Sequence, residues 1–217
     1  MSRKPQRPAD ERLKDAFLTG AYGLGGRDDA LRFYAEWADR YDERMEDRLG
    51  YVAPRVMAER LAAHLDDRSA AVLDVGCGTG LTCQYLAAHG FTTFDGIDIT
   101  PAMIVKSRER GIYRDLYQAD ITKPLDMADA TYDAAISSGT FTLGHVGAEP
   151  IPEIVRVLKP GALFACSIHT DIWRAKGFEA RFAALEAAGA MRSVDVYLDE
   201  FFTGLGKTAM YCIFERL

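Results

Sequence analysis

The chain has 217 residues, 48% of them hydrophobic and 27% charged, with a formal net charge of −6. This composition supports a buried core of ordinary size and argues against a broad surface for duplex nucleic acid, which needs a basic face to neutralise phosphates. No apolar run approaches the ~20 residues that cross a bilayer, so no membrane partner is expected.

The first fifteen residues are charged, with no apolar stretch behind their basic residues, and do not read as a secretory leader. The expectation is a cytoplasmic protein. Cys77, Cys83, Cys166 and Cys212 form no C-x-x-C pair and share no zinc-site spacing with histidine. They read as small buried residues in a reducing compartment, and no metal is expected.

Residues 1–28 are polar and interrupted by Pro5, Pro8, Gly20, Gly23, Gly25 and Gly26. They read as a flexible tail with one short helix near 13–18, and the basic cluster Arg3, Lys4 and Arg7 is assigned to that tail. A single domain is expected over 29–217, with N-terminal helices at 29–68 and an α/β core at 69–217.

Within the helical part, Leu31, Tyr34, Ala38, Tyr41 and Met45 fall three and four apart, predicting a helix over 29–49 that Gly50 ends. A second helix is expected over 54–64. Strand and helix then alternate. Strands are expected at 71–75, 94–99, 113–118, 132–137 and 162–168, with helices at 81–89, 100–110, 151–158 and 173–188. Thr100-Pro101 is a helix start, with a hydroxyl cap and proline at the first position. The last two strands, 192–198 and 208–214, are separated only by a loop with Gly204 and Gly206, which predicts an antiparallel pair. This order implies a mostly parallel sheet with helices on both faces, whose ligands bind beyond the carboxyl ends of the strands.

The unusual residues stand at those ends. Val72-Leu73-Asp74-Val75-Gly76-Cys77-Gly78-Thr79-Gly80 closes a strand and opens a helix. Glycines there permit a tight turn and close approach of backbone to a ligand. Asp98 ends the second strand, where a carboxylate accepts hydrogen bonds from a ribose diol, and it also suits the start of the helix at Pro101. Asp120 follows the third strand, where an acid takes an N–H from an adenine amino group or faces water.

The segment Val72 to Gly80 resembles motif I of the class I S-adenosylmethionine-dependent methyltransferases. Gly96-Ile97-Asp98-Ile99-Thr100-Pro101-Ala102-Met103, Ala119-Asp120, Tyr132-Asp133-Ala134-Ala135-Ile136 and Leu158-Lys159-Pro160-Gly161-Ala162 resemble its later motifs. Tyr34, Trp37-Ala38, Tyr41-Asp42, Gly50-Tyr51, Ala53-Pro54 and the stretch from Gly139 through His145-Val146 to Ile154 are similar to the small methyltransferases named for the Williams–Beuren syndrome region. The resemblance implies a Rossmann-like seven-stranded α/β sheet, mostly parallel with an antiparallel last strand, under an N-terminal helical lid. It implies S-adenosyl-L-methionine as cofactor and S-adenosyl-L-homocysteine as product. By the same resemblance, Gly76, Cys77, Gly78, Gly80 and Leu81 surround the methionine part. Asp74 orients its amino group and Ser137 lies near it. Asp98 binds the ribose, Ile99 and Met103 pack on the adenine, and Asp120 and Ile121 stand at the adenine end.

The resemblance leaves the acceptor open. Tyr34, Trp37 and Tyr41 read equally as an aromatic wall beside a cationic sulfonium and as plain core. His145 and His169 are the candidate bases, each equally readable as an ordinary histidine, and no catalytic residue is assigned. Methyl transfer from a sulfonium rests largely on positioning. The acidic chain, with Ser137-Ser138-Gly139-Thr140 where many nucleic-acid amino methylases carry an N/D-P-P-Y/F sequence, points to a small-molecule acceptor. Monomer is the default. The alternatives are a non-catalytic S-adenosylmethionine sensor and an NAD-dependent oxidoreductase, the latter disfavoured because Cys83 stands where a third glycine of G-x-G-x-x-G is expected.

Overall fold

The computed structural model describes residues 8–217. The basic cluster Arg3, Lys4 and Arg7 lies outside them. The described residues form one seven-stranded sheet in the order β3-β2-β1-β4-β5-β7-β6. Its strands are β1 (Ala71–Val75), β2 (Thr93–Asp98), β3 (Tyr113–Gln118), β4 (Tyr132–Phe141), β5 (Leu158–His169), β6 (Met191–Phe202) and β7 (Lys207–Arg216). β1 through β5 pair in parallel. β7 lies between β5 and β6 and is antiparallel to both. β1 pairs with β2 on one side and β4 on the other, so the chain reverses its direction of travel across the sheet at β1. The loops after β1 and β4 diverge there and leave a crevice.

Two apolar layers sandwich the sheet, and β7 shows the period of two that builds them. Its Tyr211 and Ile213 enter one layer, and Cys212 and Phe214 the other. The first layer is closed by α4 (Ala53–His64) and α5 (Leu81–Ala88) through Met57, Leu61 and Leu86. The second is closed by α7 (Ile151–Val157) and α9 (Phe178–Ala187) through Ile151, Ile154, Phe178 and Phe182. The predicted stripe of Ile151, Ile154, Val155 and Leu158 is buried, although Leu158 already belongs to β5. The helix α6 (Pro101–Glu109) and the short α8 (Thr170–Trp173) complete the core.

The expected tail is the main departure. Residues 8–28 carry two helices, α1 (Ala9–Leu13) and α2 (Ala16–Tyr22), and lead into α3 (Arg27–Trp37). Asp15 caps α2 by accepting the Phe17 N–H at 2.9 Å and pairs with Arg44 at 2.7 Å. Phe17 is fully buried, with ring centroids of Phe33, Trp37 and Tyr41 at 5.1, 5.2 and 5.6 Å. Arg12 donates to the carbonyls of Leu49 at 3.1 Å and Thr203 at 2.9 Å, tying α1 to the β6–β7 hairpin. Gly20 reads as a breaker, but it makes a helix contact: a Cβ there would sit 2.5 Å from Phe33 Cε2.

The single helix expected over 29–49 changes its winding twice. After α3 come a 3-10 turn (Ala38–Arg40) and a π-helical turn (Glu43–Leu49) ended by Gly50 in a left-handed conformation. The altered pitch buries Met45 and Leu49 in the core while Tyr41 faces the crevice.

Because Phe17 organises this aromatic cluster, Phe17→Ala should cost about 3–5 kcal/mol. Urea unfolding followed by circular dichroism measures it, and a change below about 0.5 kcal/mol would mean that α2 is not docked.

Candidate functional site

The loop after β1 is shaped by what its backbone must do. Gly76 and Gly78 have φ of 70° and 54°. The N–H groups of Gly76 and Cys77 both donate to the Ile97 carbonyl, at 2.8 and 2.9 Å. A Cβ on Gly76 would lie 2.2 Å from Thr140 Oγ1, whereas one on Gly78 would meet nothing within 4 Å. The first glycine therefore serves close packing, and the second leaves open space beside the backbone.

Asp98, at the end of β2, faces that space. One carboxylate oxygen accepts the Gly78 N–H at 2.9 Å and the other the Thr100 N–H at 2.8 Å. Both roles read from the sequence are thus compatible, since one oxygen serves the helix start and each retains a further lone pair. Burial raises its pKa, and these backbone hydrogen bonds pull it back. Asp120, beyond β3, accepts from the N–H and hydroxyl of Thr122 at 3.0 and 2.7 Å, and its second oxygen lies 3.6 Å from Arg27 Nε.

These groups line a cavity of about 280 Å³ at the carboxyl ends of β1 to β4, with α3 on its wall. Of the residues expected there, Tyr34, Tyr41, Gly76, Cys77, Gly78, Leu81, Asp98, Ile99, Met103, Asp120 and Ile121 line it. Asp74, Gly80 and Ser137 lie behind the wall. Asp74 is buried, accepts the Tyr113 hydroxyl at 2.7 Å, and leaves its other oxygen without a partner. Burial pushes its pKa up to about 6. Gly80 packs against Arg110 and Tyr113, each 2.9 Å from a notional Cβ. Ser137 is buried and donates to the Val75 carbonyl at 2.8 Å, holding β4 to β1.

The wall also contains residues given no role by the sequence. Arg27 and Thr79 are two of them. Tyr51, whose hydroxyl lies 3.2 Å from Ser138 Oγ, belongs to the wall with Ser138, and so does Thr140, which donates to the Val75 carbonyl at 3.0 Å. The available signal was Gly139, whose φ of 79° bends β4 and lets the Tyr51 hydroxyl come within 2.5 Å of a notional Cβ.

The aromatic stripe divides. Tyr34 and Tyr41 pack on the core and also line the cavity, while Trp37 lies against Phe17 and under Arg44. The two candidate histidines also part. His145 lines the cavity. Its Nδ1 lies 2.7 Å from the Leu143 carbonyl, which only accepts, so Nδ1 carries the proton and Nε2 accepts the Tyr34 hydroxyl at 2.7 Å. Burial pushes its pKa down to about 4, so the ring is neutral at pH 7. His169 is buried outside the cavity wall, between the rings of Tyr22 and Phe201.

Comparisons with known proteins follow this geometry. Residues 73–166 match the methyltransferase domain family. A human protein named methyltransferase-like protein 27 is 34% identical over 180 residues, spanning 80% of this chain and 73% of that protein. The 18S rRNA (guanine-N(7))-methyltransferase of Bos taurus is 39% identical over 72 residues, 33% of this chain and only 25% of that protein. A chain of the solved complex between the Haloferax volcanii Trm112 methyltransferase activator and a methyltransferase superposes with a TM-score of 0.60 at 19% identity. The match covers 83% of this chain and 96% of that one, and it speaks for the fold alone.

Two buried groups give opposite pH signatures. By nitrogen NMR, the His145 ring should stay neutral and Nδ1-protonated down to about pH 4; titration near the ordinary 6.5 would mean a solvated loop. Unfolded histidine takes up its proton first, so His145 lowers folding stability as pH falls from 6.5 toward 4. Asp74 acts in reverse, because the folded protein keeps its proton between 3.8 and about 6. Asp74→Asn should therefore gain stability relative to the parent as pH rises from 4 to 7, by up to about 3 kcal/mol in denaturant titrations.

Proposed function

The chain belongs to the class I S-adenosylmethionine-dependent methyltransferases, of the Williams–Beuren syndrome region type, and from that premise we propose that it methylates a small, uncharged acceptor held against the Tyr34–Tyr51–His145 wall of the cavity. The observation that carries this reading is the distribution of charge. The charged side chains of the wall are Arg27, Asp98 and Asp120. Arg27 and Asp120 face each other, and Asp98 is held at the glycine turn by the Gly78 N–H, near Tyr34 and Tyr41, whose pKa values are raised by burial and, at this range, by its charge. The other polar side chains of the wall are uncharged, among them Tyr34, Tyr41, Tyr51, Ser138, Thr140 and a neutral His145. With Arg27 and Asp120 facing each other and Asp98 given to the cofactor's ribose, the surface that remains offers a charged acceptor no counter-ion, but it gives a neutral one hydrogen bonds and apolar contact.

The residues fit the family's cofactor. The free space beside Gly78 is a cradle that a side chain would fill. Asp98 is desolvated, fixed by two backbone N–H groups, and keeps lone pairs for a ribose diol. Ile99, Met103 and Ile121 give the apolar surface an adenine ring needs, with Asp120 at its edge. When bound, S-adenosylmethionine supplies the sulfonium methyl group. Tyr34 and Tyr41 offer phenol faces suited to that cation, and a neutral His145 adds no opposing charge. The Tyr34–His145 hydrogen bond fixes both rings and leaves the Tyr34 oxygen to accept a hydrogen bond from an acceptor hydroxyl or amine. Four buried, unpaired cysteines suit the reducing cytoplasm.

A ribosomal RNA acceptor is the second reading, favoured by the match to the bovine rRNA enzyme. The net charge of −6 weighs against it.

Calorimetry should show S-adenosylmethionine binding that weakens about ten-fold or more in Asp98→Ala, the loss of a charge-assisted hydrogen bond. Methyl-labelled cofactor incubated with fractionated cell extract should label the small-molecule fraction. Label confined to RNA or protein would overturn the acceptor assignment, and binding without product in any fraction would favour a sensor.

A further inference from the structure

Thr79 is the one non-glycine residue between Gly78 and Gly80, and it is gripped from outside the cavity. Arg110, at the end of α6, donates Nε to the Thr79 carbonyl and a terminal nitrogen to Asp42. The same guanidinium nitrogen lies 3.4 Å from the Thr79 hydroxyl. That hydroxyl donates to the other Asp42 oxygen at 2.5 Å. The three side chains therefore close a hydrogen-bonded ring. One turn earlier on α6, Ser107 donates to the Gly78 carbonyl at 2.6 Å, so the helix holds two successive carbonyls of the turn.

Asp42 makes this more than local support. It comes from the N-terminal segment, between the 3-10 and π-helical turns, and directly follows Tyr41, which itself lines the cavity. Asp42 thus joins the wall carrying Tyr34 and Tyr41 to the back of the glycine turn. We infer that Asp42, through Thr79 and Arg110, is a positioning residue that couples the seating of residues 27–49 to cofactor affinity. The inference rests on the cofactor reading above. Asp42 and Arg110 lie outside the cavity wall and Thr79 lines it, so the ring acts through Thr79: it sets that residue's peptide plane and the distance between the turn and the Tyr41 wall. A ligand that contacts both gains from the ring, and in return tightens it.

The rest of α6 supplies a control. Lys106 pairs with Asp39 at 2.8 Å, also bridging α6 to the N-terminal segment, but Asp39 is 81% exposed and the pair touches no part of the turn. An exposed pair contributes little.

The test uses the full chain and S-adenosylhomocysteine, read by calorimetry, by stopped-flow dissociation, and by hydrogen exchange over residues 27–49. Thr79→Val and Asp42→Asn should each weaken binding about ten-fold, mainly through faster release. They should also abolish the ligand-induced protection of 27–49. The double variant should be little worse than either single one, since both break one ring. Thr79→Ser, which keeps the hydroxyl, and Asp39→Asn should stay within about two-fold of the parent. If a ring variant fails to fold, Arg110→Lys, which loses the Nε donor and keeps the charge, gives the same comparison. Parent-like affinity and protection in the folded ring variants, even with a lowered melting temperature, would overturn the coupling and leave a structural ring. A parent protein that ignores S-adenosylhomocysteine would overturn the cofactor reading and this inference together.

Discussion

The whole site depends on one constraint: the backbone after β1 turns sharply beside the sheet, and the amides and carbonyls it turns away from the cavity must find partners. Each amide and carbonyl withdrawn from water there needs a partner. The Ile97 carbonyl takes two N–H groups, Asp98 takes that of Gly78, and Ser107 and Arg110 take the outward carbonyls of Gly78 and Thr79. With its outer face satisfied, the turn presents a fixed inner face. The neighbouring elements α6 and β2 are therefore parts of the turn as much as parts of the fold.

The buried carboxylates show how neighbouring acids take different jobs. Asp95 and Asp98 lie on the same short strand. Asp95 is saturated: Arg114 donates two hydrogen bonds at 3.0 and 2.6 Å, the Tyr132 hydroxyl a third at 3.0 Å and the Asp115 N–H a fourth at 3.2 Å. It has no capacity left for a ligand. Asp98 has two backbone partners, no cation bonded to it, and open space in front. Asp74 has less still, one tyrosine and an unpartnered oxygen, and burial answers by favouring the protonated acid. Incomplete satisfaction beside a cavity, more than burial, separates a binding carboxylate from a structural one.

The sheet was legible because its signals are local. Alternation, the glycine turn and Thr100-Pro101 predicted the first five strands and the antiparallel pair, with β4 to β7 all longer than expected. The glycine signal was ambiguous by itself. Gly76, Gly78 and Gly139 bend the chain, whereas Gly20 admits Phe33 into a helix contact, and composition does not tell these apart. The docking of α1 and α2 was hidden for that reason, and because its anchors, Arg12 on Leu49 and Thr203, join residues far apart in sequence. Ser137 was misplaced: it is still in register with Cys166, and its hydroxyl is spent on the Val75 carbonyl; the shift that follows, between Ser137 and Phe141, accompanies the arrival of Ser138 and Thr140 at the wall.

The N-terminal segment completes the cavity while remaining the least committed part of it. α3 has no fully buried residue, and its ion pair with Asp120 through Arg27 is long, at 3.6 Å. Such pairs hold little. What secures α3 is its aromatic side against Phe17, together with hydrogen bonds from Tyr34 to His145 and from Asp42's ring to the turn. Swinging α3 away would uncover Phe33, Tyr34 and Trp37 together with the Phe17 ring they cover, so its hold is apolar far more than ionic. A ligand that fills the space between Tyr41 and Gly78 adds to that hold, so occupancy of the cavity and the seating of this segment are linked.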